Sequence, residues 1–164
     1  MRRRAAIRRC RKRSRLAYKE LEAAAEVAKI GLRPFEVRSV KEIEPQLLAT
    51  KAPSAGALVI FEDPLTLSQR GEIAMVVARL QLPAVYGYRE FAEAGGLMSY
   101  GTDHGTQWRR GAEFVDLILK GAKAADIPVE QPTRFELVVN IKTARELELE
   151  IPPTIMIRVN DTIE

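Results

Sequence analysis

The stretch Gly95-Gly96-Leu97-Met98-Ser99-Tyr100-Gly101-Thr102-Asp103 leads from two glycines through a short apolar run to an acidic residue. An amphipathic helix that ends at Gly121 is predicted directly after it, with an apolar face of Trp108, Ala112, Val115 and Leu119. Glycine lets the backbone turn and approach a ligand closely, and a strand-to-helix junction is where α/β proteins place ligands. The stretch therefore predicts a strand, a turn and a helix beside a ligand site.

The same alternation of strand and helix runs along most of the chain. Strands are predicted at residues 32–40, 57–61, 83–88, 97–100 and 134–141. Helices are predicted at residues 18–30, 42–51, 68–80, 89–94 and 107–119, and a further one starts near Thr143 and stops at Ile151-Pro152-Pro153. Such alternation favours a mostly parallel sheet with helices on both faces, a three-layer α/β/α sandwich.

Length and composition limit the possible architecture. The chain has 164 residues, of which 46% are hydrophobic and 29% charged, so it is long enough for one domain with a core and too short for two large lobes. Its single cysteine, Cys10, excludes an intramolecular disulfide. No apolar run approaches the length needed to span a bilayer.

The positive charge is concentrated at the start of the chain. Nine of the first fifteen residues are Arg or Lys and none is acidic, so the formal charge of +4 leaves residues 16–164 at −5. We therefore expect residues 1–17 to form a disordered basic tail and residues 18–164 to form a single lobe. The alternatives are contact with nucleic acid or an anionic membrane, and a helical arm for self-association. No aromatic residue precedes Tyr18, so stacking on bases has no support and nucleic acid is not an expected partner.

Further segments follow the opening stretch in a recognisable order: Leu119-Lys120-Gly121-Ala122-Lys123, then Asp126-Ile127-Pro128-Val129-Glu130-Gln131-Pro132-Thr133, then Phe135-Glu136-Leu137-Val138-Val139-Asn140. This series resembles the C-terminal half of the ABC-transporter solute-binding proteins of the tryptophan/tyrosine type. The resemblance covers residues 18–164. It implies a periplasmic-binding-protein-like fold, specifically one lobe of a type I periplasmic binding protein, and capture of a small amino-acid-like organic solute without catalysis.

The resemblance also implies partners and a location. An ABC permease is the expected partner, and the periplasm is the expected compartment of the family. The start of this chain lacks the apolar core of a secretory signal, so the chain as encoded is expected to stay in the cytoplasm. The chain looks like an incomplete member in which the arginine-rich segment stands where the opening strand belongs. A lobe alone leaves apolar surface exposed, so we expect a homodimer.

Acids and small residues at the predicted strand ends are the candidate ligand contacts. Ser99, Tyr100, Gly101 and Asp103 combine donors with an acid, and the resemblance places their segment at the ligand cleft. Asp63 follows the strand at residues 57–61, where it either meets a ligand ammonium group or caps the next helix. Tyr86 ends another strand and is a candidate cover for an apolar ligand group. For Asp103, too, a helix-capping role is the alternative.

Nothing in the sequence predicts catalysis, a metal or a cofactor. His104 is the only histidine, which excludes paired histidines, and no phosphate loop, metal cluster or nucleophile elbow is present. Where the resembled proteins carry a glycine after the Asn140 segment, this chain has Glu148, which puts a left-handed helix end there in doubt. The competing hypothesis is a self-associating interaction module that binds no solute, with or without a nucleic-acid-binding tail.

Overall fold

The computed structural model describes residues 3–9, 12–49 and 55–164, and the side chains of 16–49 and 56–164. Seven strands are formed by Arg3–Arg9 (β1), Gly31–Val37 (β2), Ala55–Ile60 (β3), Ala84–Tyr86 (β4), Met98–Thr102 (β5), Phe135–Asn140 (β6) and Asp161–Ile163 (β7). The helices are Lys12–Val27 (α1), Val40–Ala49 (α2), Pro64–Ser68 (α3), Arg70–Arg79 (α4), Arg89–Glu93 (α5), His104–Leu119 (α6), Ile141–Glu146 (α7) and Pro153–Met156 (α8).

One sheet contains all seven strands, in the order β2-β1-β3-β4-β5-β6-β7. Every neighbouring pair is parallel except β5 and β6, which run antiparallel. The chain order reverses between β1 and β3, which is the kind of position where open α/β sheets bind ligands at the carboxyl ends of their strands. The predicted α/β class, with a mostly parallel sheet flanked by helices, is confirmed.

The arginine-rich start of the chain differs from the expectation. The backbone of Arg3–Arg9 forms an interior parallel strand, with Ile7 opposite Phe35 on β2 and Ile60 on β3. The prediction of a disordered tail over residues 1–17 is therefore wrong for this strand and for the helix from Lys12 onward. The high density of positive charge predicted disorder wrongly, because a strand between two others gains backbone hydrogen bonds along both edges, whatever the charge of its side chains.

The core lies where the helices pack on the inner strands. Its fully buried side chains include Val37, Leu47, Leu58, Ile60 and Phe91. Leu58 and Ile60 lie on β3, within the continuous apolar run that predicted a strand covered on both faces. Pro34 lies on β2, which among the described strands pairs only with β1 and so tolerates a residue without an N–H group.

Three helix ends use a left-handed residue other than glycine. Lys29, Gln81 and Glu148 each have a φ of 53°. After α7, the Leu149 N–H donates to the Ala144 carbonyl over 2.9 Å, which closes the helix end. The left-handed cap that Glu148 put in doubt is therefore present. The first helix ends in the same way at Lys29, ahead of the predicted stop at Gly31.

The helix predicted from Trp108, Ala112, Val115 and Leu119 is α6, and Gly121 ends it with a φ of 100°. The apolar face of this helix does not pack into the core: among the described residues, none in α6 is buried. The sequence also gave no signal for the short strand β7, which pairs with β6. Across the part of the chain that the structure describes, no helix has the length and apolar character to cross a membrane.

Candidate functional site

A cavity of about 410 Å³ lies at the carboxyl ends of β3, β4 and β5. Its lining comes from the ends of these strands and from α1: Ala17, Val59, Ile60, Phe61, Glu62, Val85, Tyr86, Gly87 and Tyr100. This volume, and a lining that is mostly apolar with a few polar groups, are typical of small-molecule binding sites. The cavity lies next to the reversal in strand order between β1 and β3, so both topology and lining favour this end of the sheet as the candidate site.

Two glycines let Glu62 lie against the strand ends. A Cβ atom added to Gly87 would lie 2.2 Å from the Glu62 Cγ atom. A Cβ atom added to Gly101 would lie 1.9 Å from the Gly87 carbonyl oxygen and 3.0 Å from the Glu62 Oε1 atom. The distances of 2.2 Å and 1.9 Å are too short for any side chain, so glycine at both positions is what allows a carboxylate and a backbone carbonyl to converge here.

Tyr100 places an aromatic ring at the rim of this cavity. Its side chain is 58% exposed, and its ring stacks on Phe135 with 5.9 Å between centroids and 21° between planes. Phe135 starts β6, whose first residues pair with the end of β5. The antiparallel pairing therefore orients an aromatic pair beside the cavity, with one face of Tyr100 accessible.

Tyr86 borders the cavity, but its ring belongs to the core. The side chain is 1% exposed and stacks on Phe91 at 4.5 Å, and the ring leaves no room for a side chain at Gly96. Its hydroxyl has no hydrogen-bond partner among the described residues, and burial raises its pKa above the ordinary value. Tyr86 therefore shapes the floor of the site and does not present its hydroxyl at the surface.

Asp63 takes the capping role that the sequence left as one of two alternatives. It is 5% exposed, and its Oδ1 atom accepts a hydrogen bond of 2.8 Å from the Leu65 N–H at the start of α3. Pro64 occupies the first position of that helix, where its missing N–H costs nothing. The residue of the Glu62-Asp63 pair that faces the cavity is Glu62, which sequence reasoning missed as a site residue. The signal was available, because an aspartate directly before a proline is a typical helix cap.

Asp103 likewise caps the helix that follows it. Its Oδ1 atom accepts from the Thr106 N–H over 3.0 Å and its Oδ2 atom from the Thr106 hydroxyl over 2.5 Å. These two bonds, and the nearby Arg109 charge, hold the pKa of the carboxyl below its ordinary value. Asp103 borders a different cavity, of about 340 Å³, between α6 and residues 130–134.

The six predicted residues therefore do not converge on one cavity. Tyr86 and Tyr100 line the cavity at the strand ends, Gly101 supports it, and Asp63 and Asp103 cap helices. Ser99 is 1% exposed, and its hydroxyl has no partner among the described residues. No described group of acidic, histidine or cysteine side chains is arranged to hold a metal ion.

Asn140 is structural in this arrangement. Its side-chain amide donates to the Ala92 carbonyl over 2.9 Å, and its Oδ1 atom accepts from the Thr143 N–H over 2.9 Å. The cap of α7 is therefore Asn140 and not Thr143, because the helix begins two residues earlier than predicted. His104 starts α6 with its ring 5.5 Å from the ring of Tyr88, outside the lining of the strand-end cavity.

Several solved structures share this fold. The ABC domain in complex with L-Trp from Streptococcus pneumonia is 24% identical with a TM-score of 0.89, and the match covers 99% of this chain and 55% of that one. A conserved domain protein from Vibrio cholerae is 19% identical with a TM-score of 0.84, over 96% of this chain and 53% of that one. The ligand-free, open structure of a substrate-binding protein with adhesive properties from Clostridium difficile is 15% identical with a TM-score of 0.70, and the match covers 99% of this chain and 55% of that one.

The chain thus spans about half the length of the solved structures that it matches. No curated protein sequence matches it. The model of the family described as ABC transporter substrate binding protein matches residues 8–163, which include the last two residues of β1 and the whole of the six other strands. The chain belongs to the ABC transporter substrate-binding protein family.

Proposed function

We propose that this chain binds a small amino-acid-like organic solute, without catalysis, in the cavity at the carboxyl ends of β3, β4 and β5. The observation that carries this proposal is the position of Glu62, packed against two glycines at the mouth of a cavity of about 410 Å³. The cavity lies within the range of volumes that small-molecule sites have in proteins. Family membership supports the proposal that the chain binds a substrate, and the cavity supports the proposed location of the binding site.

The lining supports a solute with a positive group and an apolar part. The Glu62 carboxylate and the Gly87 carbonyl are acceptors for a ligand ammonium group, and a charge-assisted hydrogen bond there is stronger than a neutral one. Val59, Val85 and Phe61 offer apolar contact, and the accessible face of Tyr100 offers stacking. Because the Streptococcus structure contains L-Trp, this amino acid is the first solute to test.

The role in transport is proposed for the whole protein to which this lobe corresponds. In such a protein a second lobe closes on the solute, and the closed form docks on the permease of an ABC importer at the outer face of the membrane. Closure couples binding to docking, because the solute contacts both lobes in the closed state only. A lobe that spans about half of its relatives supplies part of those contacts, so we expect weak binding by this chain alone.

Calorimetric titration of the chain with L-Trp, other zwitterionic amino acids and their N-acetyl derivatives tests the proposal. We expect saturable binding of at least one free amino acid and loss of binding on N-acetylation. Glu62→Gln is expected to weaken that binding by about 1–3 kcal/mol, the usual effect of losing a charged hydrogen-bond partner. The control Glu26→Gln changes an exposed carboxylate on α1, away from the cavity lining, and is expected to have no effect. Equal binding of free and N-acetylated forms, or no binding of any amino acid, would contradict the proposal.

A further inference from the structure

The outer face of α6 is an exposed apolar surface. Trp108, Val115 and Leu119 are 80%, 56% and 82% exposed, and Ala112 between them is exposed as well. These four residues, here called the α6 stripe, recur every three or four positions and so lie in one line along the helix. Contiguous apolar surface of this kind in a soluble protein marks an interaction site or an aggregation liability.

The opposite side of α6 already has its partners. Arg110 donates from Nε to the Glu130 Oε2 atom over 2.8 Å, and its guanidinium lies 4.6 Å from the centre of the Phe114 ring. Gly111 and Phe114 line the cavity between α6 and residues 130–134. At about 100° per residue, Arg110 and Phe114 lie on the far side of the helix from the α6 stripe. The helix is therefore held on one side, and the α6 stripe points away from the lobe.

We propose that the α6 stripe is the contact surface for a second copy of this chain, with the two α6 helices antiparallel about a two-fold axis. In that arrangement Trp108 packs against Leu119 of the partner subunit, and Ala112 packs against Val115 of the partner subunit. The smaller side chains then lie at the centre of the contact and the larger ones at its two ends, so that the helices can approach closely at the axis. The two contacts repeat on each side of the axis, because a two-fold interface uses the same surface of both copies.

Charges beside the α6 stripe favour the antiparallel direction. Arg109 and Asp116 lie about 100° and 80° round the helix from Trp108, so both flank the stripe on the same side. In an antiparallel pair this flank of one copy faces the same flank of the other copy. Arg109 of each copy then lies opposite Asp116 of the partner subunit, so the contact forms twice. In a parallel pair it faces the other flank, where Gln107 and Ile118 carry no charge. Opposite charges across an interface fix its register more than they raise its affinity.

The size of the α6 stripe sets the strength of the association. Stable interfaces bury about 800 Å² on each partner, and four side chains on one helix supply only part of that area. We therefore expect a dimer that dissociates on dilution in the micromolar range. Tryptophan fluorescence can report this equilibrium directly, because Trp108 is the only tryptophan of the chain and lies within the proposed contact.

Sedimentation velocity and tryptophan fluorescence of the full chain, over about 1 to about 100 µM, test the proposal. We expect the sedimentation coefficient to rise with concentration and the Trp108 emission to move to shorter wavelength over the same range, because the indole leaves water. A monomer with red-shifted emission at every concentration would overturn the proposal. So would a dimer whose formation leaves the Trp108 emission unchanged, because its contact would lie elsewhere.

Variants locate the contact and its direction. Leu119→Asp is expected to raise the dissociation constant at least about tenfold, since it places a charge against the indole of Trp108 of the partner subunit. Val129→Asp is the matched control: Val129 is 99% exposed but lies outside α6, so the dissociation constant should not change. Arg109→Asp and Asp116→Arg should each weaken the dimer, and the double variant should restore it. Weakening without restoration would overturn the antiparallel register, and equal effects of Leu119→Asp and Val129→Asp would overturn the contact itself.

Discussion

Gly101 lies so close to Gly87 that a methyl group on Gly101 would come within 1.9 Å of the Gly87 carbonyl oxygen. The obstacle is backbone, so no rotation of a side chain relieves the contact. We expect Gly101→Ala to lower the free energy of unfolding by about 1–3 kcal/mol, the usual cost of forced overpacking. Urea denaturation measures this. Gly111→Ala is the control: an added Cβ meets no atom within 4 Å, and replacing glycine inside a helix should stabilise by up to about 1 kcal/mol. Equal effects of the two would contradict the assigned contact.

The Tyr86 hydroxyl is buried without a partner among the described residues, although the ring packs well on Phe91. An unsatisfied hydroxyl costs stability, so its removal with the ring retained should do no harm. We expect Tyr86→Phe to leave the free energy of unfolding unchanged or to raise it by about 1 kcal/mol. Tyr86→Ala, in contrast, should cost about 3–5 kcal/mol through the cavity it leaves. A loss of more than about 1 kcal/mol in Tyr86→Phe would mean that the hydroxyl has a bound partner such as water.

How far the sequence predicts this molecule depends on which signal each element carries. The apolar run around Leu58 predicted an inner strand correctly, because burial on both faces leaves few polar positions. Arg3–Arg9 was missed because its signal lies in backbone pairing and not in side-chain polarity. Helix α2 begins at Val40, ahead of the predicted start at Glu42, because the Glu42 carboxylate accepts from the Arg38 N–H and the Ser39 hydroxyl and so fixes the first turn.

The candidate site was predictable in place but not in composition. The carboxyl ends of parallel strands follow from the alternation of elements, and the cavity lies there. Which carboxylate faces it depends on local geometry: Asp63 turns back to the Leu65 N–H, so Glu62 is left beside Gly87. For α6, periodicity predicts the helix but not what covers its face, because the pattern is the same for a core contact and an interface.

Arg89 connects three carboxylates on separate elements, with hydrogen bonds of 2.8–2.9 Å to Asp161, Glu93 and Glu136. The side chain of Glu136 is 16% exposed, whereas those of Glu93 and Asp161 are each 50% exposed. Solvent weakens exposed pairs, so Glu136→Gln should cost the most, about 1–2 kcal/mol, and Glu93→Gln only a few tenths. Urea denaturation at two salt concentrations measures both. An equal loss in the two variants would show that burial does not decide the strength of these bonds.

Glu148 ends α7 in the left-handed conformation, with a φ of 53°. This conformation costs a residue with a Cβ atom about 1–2 kcal/mol. Glycine adopts it without that cost, but glycine also makes the unfolded chain more flexible, which offsets part of the gain. We expect Glu148→Gly to raise the free energy of unfolding by about 0.5–1 kcal/mol. Glu146→Gly, at the last residue of the same helix, should lower it by up to a similar amount. Thermal denaturation compares the two, and destabilisation by both would contradict the left-handed cap.

Asp103 predicts a specific dependence of stability on pH. The hydroxyl and N–H of Thr106 hold the pKa of the Asp103 carboxyl below its ordinary value of 3.8, so the folded state favours the ionised cap. The stabilisation from this charge is fully present above the pKa in the unfolded state, near 4, and is lost as the pH falls through the lower pKa of the folded state. Asparagine caps helices about as well as aspartate but does not titrate. We therefore expect the stability advantage of the wild type over Asp103→Asn to be constant above about pH 5 and to shrink as the pH is lowered below about 4. Urea midpoints measured across this pH range test the prediction.

Thr106→Val removes the hydroxyl donor, so the pKa of Asp103 in the folded state should lie closer to its ordinary value. The stability advantage should then be lost over a narrower range of pH. A difference between wild type and Asp103→Asn that is the same at every pH would show that the two bonds from Thr106 do not favour the ionised carboxylate.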